Sequence, residues 1–153
     1  MAPLPRSLRQ ALDAASRWEG SMDDDIPNGR RVLLVEDEDS LNRVLTRLLD
    51  TEGYEVVSHR CPVEALRAID EAPGTWNLLV TDVRLPSMSG LELIAAARQR
   101  QPDLAVLAIS ATLPPEGEGE RLEPQEFLHK PFTATHFFAR LSELLEGRPV
   151  RPA

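Results

Sequence analysis

With 153 residues, 42% of them hydrophobic and 27% charged, the chain has the size and composition of one ordinary globular domain with a full core. A net charge of −8 and no run of Lys or Arg argue against binding a nucleic-acid backbone, which needs a basic face. The single cysteine, Cys61, excludes an internal disulfide, and no apolar run is long enough to span a bilayer or serve as a signal-peptide core, so the expectation is a cytoplasmic protein without membrane contact.

Residues 1–29 read as an N-terminal extension. Ser7-Leu8-Arg9-Gln10 has the Ser-x-x-Gln form of a capping box, and Leu4, Leu8 and Leu12, with Ala15 and Trp18, make a weak helical stripe. The acidic run Met22-Asp23-Asp24-Asp25, followed by Pro27-Asn28-Gly29, reads as a linker. A domain is expected over 30–147, and 148–153 is a short C-terminal tail.

Within the domain, apolar runs alternate with amphipathic segments. Val32–Val35 predicts a strand. Leu41, Val44, Leu45, Leu48 and Leu49 predict a helix that Gly53 stops. Tyr54–Ser58 predicts a second strand, and Pro62–Asp70 a helix with Pro early and Ala65, Leu66 and Ile69 on one face. Leu78–Thr81 is the third strand, followed by a helix over Gly90–Arg100 that ends before Pro102. Leu104–Ile109 and Glu126–Leu128 are the last strands, and Thr133–Glu146 is a closing helix with Phe137, Phe138, Leu141, Leu144 and Leu145 facing inward. Strands that alternate with helices form βαβ units and a parallel sheet, and solid apolar strands require helices on both faces. The expected fold is therefore α/β, a doubly wound five-stranded parallel sheet. The Pro- and Gly-rich stretch from Ala111 to Glu126 leaves room for one or two turns near Glu118–Leu122, so the fourth helix is short or degenerate.

Chemistry gathers at the strand ends. Glu36-Asp37 follows the first strand, Asp82 the third, Ser110 the fourth and His129-Lys130 the fifth. Open α/β sheets bind ligands outside the carboxyl ends of their strands. If the first and third strands are neighbours, Glu36, Asp37 and Asp82 meet. Two carboxylates at about 4 Å repel by roughly 4 kcal/mol at an effective dielectric near 20, so the cluster needs a proton or a cation. Oxygen donors without His or Cys select a hard ion, Mg²⁺ or alternatively Mn²⁺. Lys130 offers a point charge for a phosphate oxygen and Ser110 a hydroxyl donor, and a carboxylate attacking a phosphoryl donor gives an aspartyl phosphate. Taken alone, Glu36-Asp37-Glu38-Asp39 is what any helix N-terminus carries; its company with Asp82, Ser110 and Lys130 points to a phosphoryl site. His59, His129 and His136 have no metal spacing, and no Gly-rich nucleotide loop follows any strand.

Val35-Glu36-Asp37-Glu38, Thr81-Asp82-Val83-Arg84-Leu85-Pro86-x-Met88-x-Gly90, Ile109-Ser110-Ala111 and Lys130-Pro131-Phe132 together resemble the receiver domain of two-component response regulators, from roughly Arg30 to Gly147. The resemblance implies a flavodoxin-like (CheY-like) strand order and assigns Asp82 as phosphoacceptor. It implies Mg²⁺ ligands from Glu36, Asp37, Asp82 and the backbone carbonyl of Arg84. Lys130 and Ser110 would contact the phosphoryl group, and Lys130-Pro131 would be a cis peptide. It further implies a switch in which Ser110 moves toward the phosphoryl group and Phe127 turns inward. The implied donor is a sensor histidine kinase or a histidine phosphotransfer protein, and the output is altered binding to a downstream protein that the sequence does not name. The only catalysis implied is the domain's own phosphoryl transfer and autodephosphorylation. Arg84 and Thr112 occupy positions at which the family tunes that autodephosphorylation. The tail of 148–153 is too short for a DNA-binding module, so a stand-alone receiver is expected.

The segment between Ser110 and Lys130 departs from the family pattern. It lacks the usual fourth helix and puts the usual output face in doubt. A phosphorylation-independent binding module on the same fold is the alternative reading. A third is a phosphatase resembling the haloacid dehalogenases, for which Asp37-Glu38-Asp39 supplies an Asp-x-Asp; Asp82 and the order of the four motifs favour the receiver.

Overall fold

In the computed structural model the described residues are 29–112, 122–148 and 150. Five strands and four α-helices follow one another in chain order among these residues: β1 (Arg31–Val35), α1 (Asp39–Thr51), β2 (Glu55–His59), α2 (Pro62–Glu71), β3 (Leu78–Asp82), α3 (Gly90–Arg100), β4 (Ala105–Ser110), β5 (Phe127–His129) and α4 (Ala134–Leu145). The strands form one parallel sheet in the order β2-β1-β3-β4-β5. This is the doubly wound, flavodoxin-like order, with its switch point between β1 and β3. No described helix is long and apolar enough to cross a membrane.

The solid apolar strands β1, β3 and β4 are buried on both sides, as helices on both faces require. One face packs Val32, Leu34, Val80 and Leu107 against Leu45 and Leu49 of α1 and Phe137 and Leu141 of α4. The other packs Leu33, Leu79 and Val106 against Ala65 and Ile69 of α2 and Leu91 and Ile94 of α3. Burying each such Leu or Ile contributes about 1.5–3 kcal/mol, so the interleaved strands stabilise the layers together.

Register puts the polar strand ends level. Val35 pairs with Thr81, so Glu36 lies beside Asp82 at the carboxyl edge. Asp82 pairs with Ile109 and Ser110 with His129, which brings Ser110 and Lys130 to the same edge.

Several boundaries differ from the sequence expectation. β2 starts one residue later, because the N–H of Tyr54 still donates to the carbonyl of Leu49 at the end of α1. Asp82 and Ser110 are the last residues of their strands rather than the first beyond them, and Glu126 belongs to a 3₁₀ turn, Pro124–Glu126, that precedes β5. Val44, expected on the inward stripe of α1, is 53% exposed, and Asn42 is buried in its stead. The buried face of α1 is thus Asn42, Leu45 and Leu49, a narrower stripe than the leucine periodicity suggested.

Among the described residues the β4–β5 connection holds no α-helix, only the 3₁₀ turn. Most of the expected turn at Glu118–Leu122 and the whole stripe of the N-terminal extension lie outside the described residues. The 3₁₀ turn is tied from two sides. Glu126 pairs with Arg98 of α3 and accepts from the N–H of Glu123 at 2.9 Å. Arg140 of α4 donates to the carbonyls of Pro124 and Phe127 at 2.9 and 2.8 Å.

Candidate functional site

The carboxyl edge between β1 and β3 gathers Glu36, Asp37 and Asp82, whose ligand atoms lie within 4.8 Å of one another. Glu36 is buried at 2% exposure, Asp37 is exposed, and Asp82 is partly buried at the end of β3. Lys130 reaches across from the end of β5: its Nζ lies 2.6 Å from Oδ2 of Asp82 and 3.4 Å from Oε1 of Glu36. The Lys130-Pro131 peptide is cis, as the resemblance implied.

Backbone supports fix these groups. The N–H of Arg84 donates to Oδ1 of Asp82 at 2.9 Å, so both oxygens of that carboxylate are held. Nδ2 of Asn42 donates to the carbonyl of Glu36 at 3.0 Å and ties the start of α1 to the end of β1. The N–H of Gly90 donates to the carbonyl of Val83 at 2.7 Å. A Cβ on Gly90 would meet the carbonyl oxygen of Asp82 at 2.1 Å, so only glycine lets α3 start against the end of β3. α3 is capped by Ser89, whose hydroxyl accepts from the N–H of Glu92.

Three carboxylates face one ammonium, so the site is short of positive charge. Burial, followed by the charge and hydrogen bonding of Asp82, pushes the Glu36 carboxyl up to about 7, and Lys130 offsets this only in part. Burial alone would pull Lys130 down, but its hydrogen bond to Asp82 and the charge of Glu36 outweigh it and hold the ammonium above its ordinary value. Oε2 of Glu36 is buried without a hydrogen-bond partner. A buried lone-pair donor beside two further carboxylate oxygens suits a divalent hard cation, so the residues fit Mg²⁺.

Ser110 is 1% exposed. Its carbonyl accepts from the N–H of Lys130 at 2.8 Å, which couples the two strand ends. Its hydroxyl turns to Thr112, accepting from that residue's N–H at 3.1 Å and sharing a hydrogen bond with Oγ1 at 3.3 Å. Phe127 is half-buried and packs on the α2–α3 side of the sheet. Beside Asp82 opens a cleft of about 430 Å³, lined by Val83, Arg84, Leu85, Met88 and Thr112 among others.

The structure thus brings together Glu36, Asp37, Asp82 and Lys130, with Ser110 and Arg84 flanking them. Sequence reasoning missed Asn42, the steric need for Gly90, and the hold of Thr112 on Ser110. Asn42 gave no signal beyond a polar residue on an otherwise apolar helix face.

The family model for the response regulator receiver domain matches residues 32–142. The chain belongs to this family. It is similar to the response regulator receiver protein CpdR of Brucella abortus, at 30% identity over 76% of this chain and 97% of that protein. It is also similar to the transcriptional regulatory protein CssR of Bacillus subtilis, at 32% identity over 75% of this chain. The chain spans about half of CssR, 51% of its length. Among solved structures, the receiver domain of the hybrid histidine kinase CckA aligns with a TM-score of 0.65 at 34% identity, covering 76% of this chain and 99% of that one. The response regulator TrrA of Thermotoga maritima, in complex with Mg²⁺ and BeF, aligns with a TM-score of 0.65 at 25% identity, covering 76% and 99%. This receiver is accordingly a signalling module of two-component systems, with the acidic pocket at which this family binds Mg²⁺.

Proposed function

We propose that Asp82 is the phosphoacceptor of this receiver and takes its phosphoryl group from a phosphohistidine on a sensor histidine kinase or a histidine phosphotransfer protein. The observation that carries this is the placement of Lys130 Nζ 2.6 Å from Asp82 inside the carboxylate cluster. In the transfer a P–O bond forms to a carboxylate oxygen of Asp82 as the P–N bond of the donor breaks, and the imidazole leaves with that electron pair. The Lys130 ammonium meets the charge on the phosphoryl oxygens. Glu36, Asp37, Asp82 and the Arg84 carbonyl would hold Mg²⁺, or Mn²⁺ with the same donors. The ion, when bound, supplies positive charge to the transferring group.

Ser110 and Phe127 are the switch residues in this reading. The protein turns over no substrate beyond its own phosphorylation and autodephosphorylation, acts in the cytoplasm, and changes its affinity for a downstream protein without touching nucleic acid or membrane. Residues 30–147 carry this activity, between an extension of 1–29 and a tail of 148–153. The alternative, a phosphorylation-independent binding module, is supported by the β4–β5 connection, which among the described residues holds only a 3₁₀ turn.

Incubation with Mg²⁺ and phosphoramidate, read by intact mass, separates the two. Gain of one phosphate by the parent and none by Asp82→Ala supports the phosphoacceptor. No gain by the parent, together with no binding of Mg²⁺, favours the constitutive module.

A further inference from the structure

We infer that Glu126 and Arg98 are positioning residues: their ion pair anchors the start of β5 and so delivers Lys130, just past the other end of that strand, to Asp82. The inference rests on the phosphoacceptor reading of Asp82 and deepens it.

Lys130 is the only lysine of the chain, and its ammonium reaches both Asp82 and Glu36. The strand that carries it is a weak support. β5 has three residues and pairs with β4 alone, at the edge of the sheet. So short a ladder holds few hydrogen bonds, and the strand's position depends on what grips its two ends. At the far end the N–H of Lys130 donates to the carbonyl of Ser110 at 2.8 Å. At the near end stands Glu126, the residue just before the strand. It is 8% exposed: one carboxylate oxygen takes the guanidinium of Arg98 from α3, and the other accepts from the N–H of Glu123 at 2.9 Å. A buried carboxylate is tolerated only with such partners, and removing one of them leaves a buried charge uncompensated. Arg140 of α4 adds bonds from the opposite face of the sheet, to the carbonyls of Pro124 and Phe127. Those acceptors are neutral, so the doubly charged Arg98–Glu126 contact is the stronger restraint. Lys130 Nζ lies 2.6 Å from Asp82, and misplacing a reacting group by about 1 Å can cost about a hundredfold in rate. The three carboxylates of the cluster stand at β1 and β3, so a loosened β5 should slow phosphoryl transfer without weakening the hold on Mg²⁺.

The full chain is labelled at lysine with an NMR-active nitrogen isotope, so that Lys130 gives one ammonium signal. Its phosphorylation by phosphoramidate with Mg²⁺ is timed by intact mass. In the parent the bond to Asp82 should shield the ammonium from solvent exchange; Asp82→Ala should lose that shielding and gain no phosphate. A parent that gains no phosphate either overturns the phosphoacceptor reading, and the ammonium signal alone then judges the role of Glu126. Glu126→Gln keeps the side chain's shape and removes its charge. It should speed exchange of the Lys130 ammonium and slow phosphorylation about three- to thirtyfold, with Mg²⁺ affinity not reduced. Arg98→Met, which removes the other partner, should have the same effects. In a Lys130→Ala background Glu126→Gln should leave the rate unaltered, since it acts through Lys130. An unchanged ammonium signal in both variants, slowing that persists without Lys130, or a fall in Mg²⁺ affinity that matches the loss of rate overturns the positioning role while leaving the phosphoacceptor in place.

Discussion

Glu36 is the residue at which the charge shortage of the site is felt. Its folded carboxyl is pushed up to about 7, above the 4.5 of an ordinary glutamate, first by burial and then by Asp82. A proton held more tightly in the folded state stabilises the fold fully below about pH 4.5, and that contribution is lost as pH rises through about 7. The same proton competes with a cation. Mg²⁺ affinity should therefore rise with pH, by about tenfold per unit well below the folded value for one displaced proton, and level off above it. Calorimetric titration at pH 5.5, 6.5 and 7.5 checks this, and an affinity flat across that range contradicts it. Lys130 carries the opposite charge. Replacing it with Ala leaves Glu36 and Asp82 facing each other without a cation, which should destabilise the Mg²⁺-free protein by about 2 kcal/mol. Denaturant unfolding with and without Mg²⁺ measures that loss, and saturating Mg²⁺ should restore most of it.

At the scale of elements, the junction of β3 with α3 decides whether Asp82 is presented correctly. The backbone of Gly90 sits so close to Asp82 that an added Cβ would lie 2.1 Å from the carbonyl oxygen of that residue. The obstacle is backbone, not a flexible side-chain tip, so α3 must retreat. Gly90→Ala should cost about 3 kcal/mol and weaken Mg²⁺ binding, since the Arg84–Asp82 turn moves with it. Urea unfolding and a Mg²⁺ titration check both effects; unaltered stability would show that the junction yields more easily than its packing implies. The strands were legible because apolar runs such as Val32–Val35 and Leu78–Val80 have no other stable place than a sheet covered on both faces. α1 was legible as a helix but not in its facing: Leu periodicity alone puts Val44 inward, whereas the start of the helix is rotated so that Asn42 reaches the Glu36 carbonyl. That hydrogen bond depends on the neighbouring loop, which no periodicity reports. The 3₁₀ turn before β5 did carry local signals, Pro124 in its first turn and the Glu123–Glu126 capping box, and Arg98 and Arg140 add ties from α3 and α4 that no local pattern reports.

At the scale of the whole molecule, the candidate site was legible because strand order and motif order agree. Carboxylates after β1 and β3 converge only if those strands are adjacent, and the order β2-β1-β3-β4-β5 makes them so. What the sequence left open was how the cluster is balanced, for this depends on Lys130 taking Asp82 in preference to solvent and on the burial of Glu36. The balance has a global consequence. The three carboxylates stand at the carboxyl ends of β1 and β3, so a cation held by them would tie β1 to β3 in the folded state alone. Anything that binds only the folded state stabilises it by mass action, by about 2.7 kcal/mol at a hundredfold excess over Kd. Mg²⁺ should accordingly raise the thermal midpoint by several degrees at pH 7.5, and progressively less as pH falls below 7 and Glu36 retains its proton. Asp82→Ala, with one ligand gone, should show a smaller rise at the same Mg²⁺ concentration. Scanning calorimetry of both proteins at two pH values tests the argument. A midpoint that ignores Mg²⁺ at pH 7.5, or rises equally in the variant, would mean that the ion does not bridge these strands through Asp82.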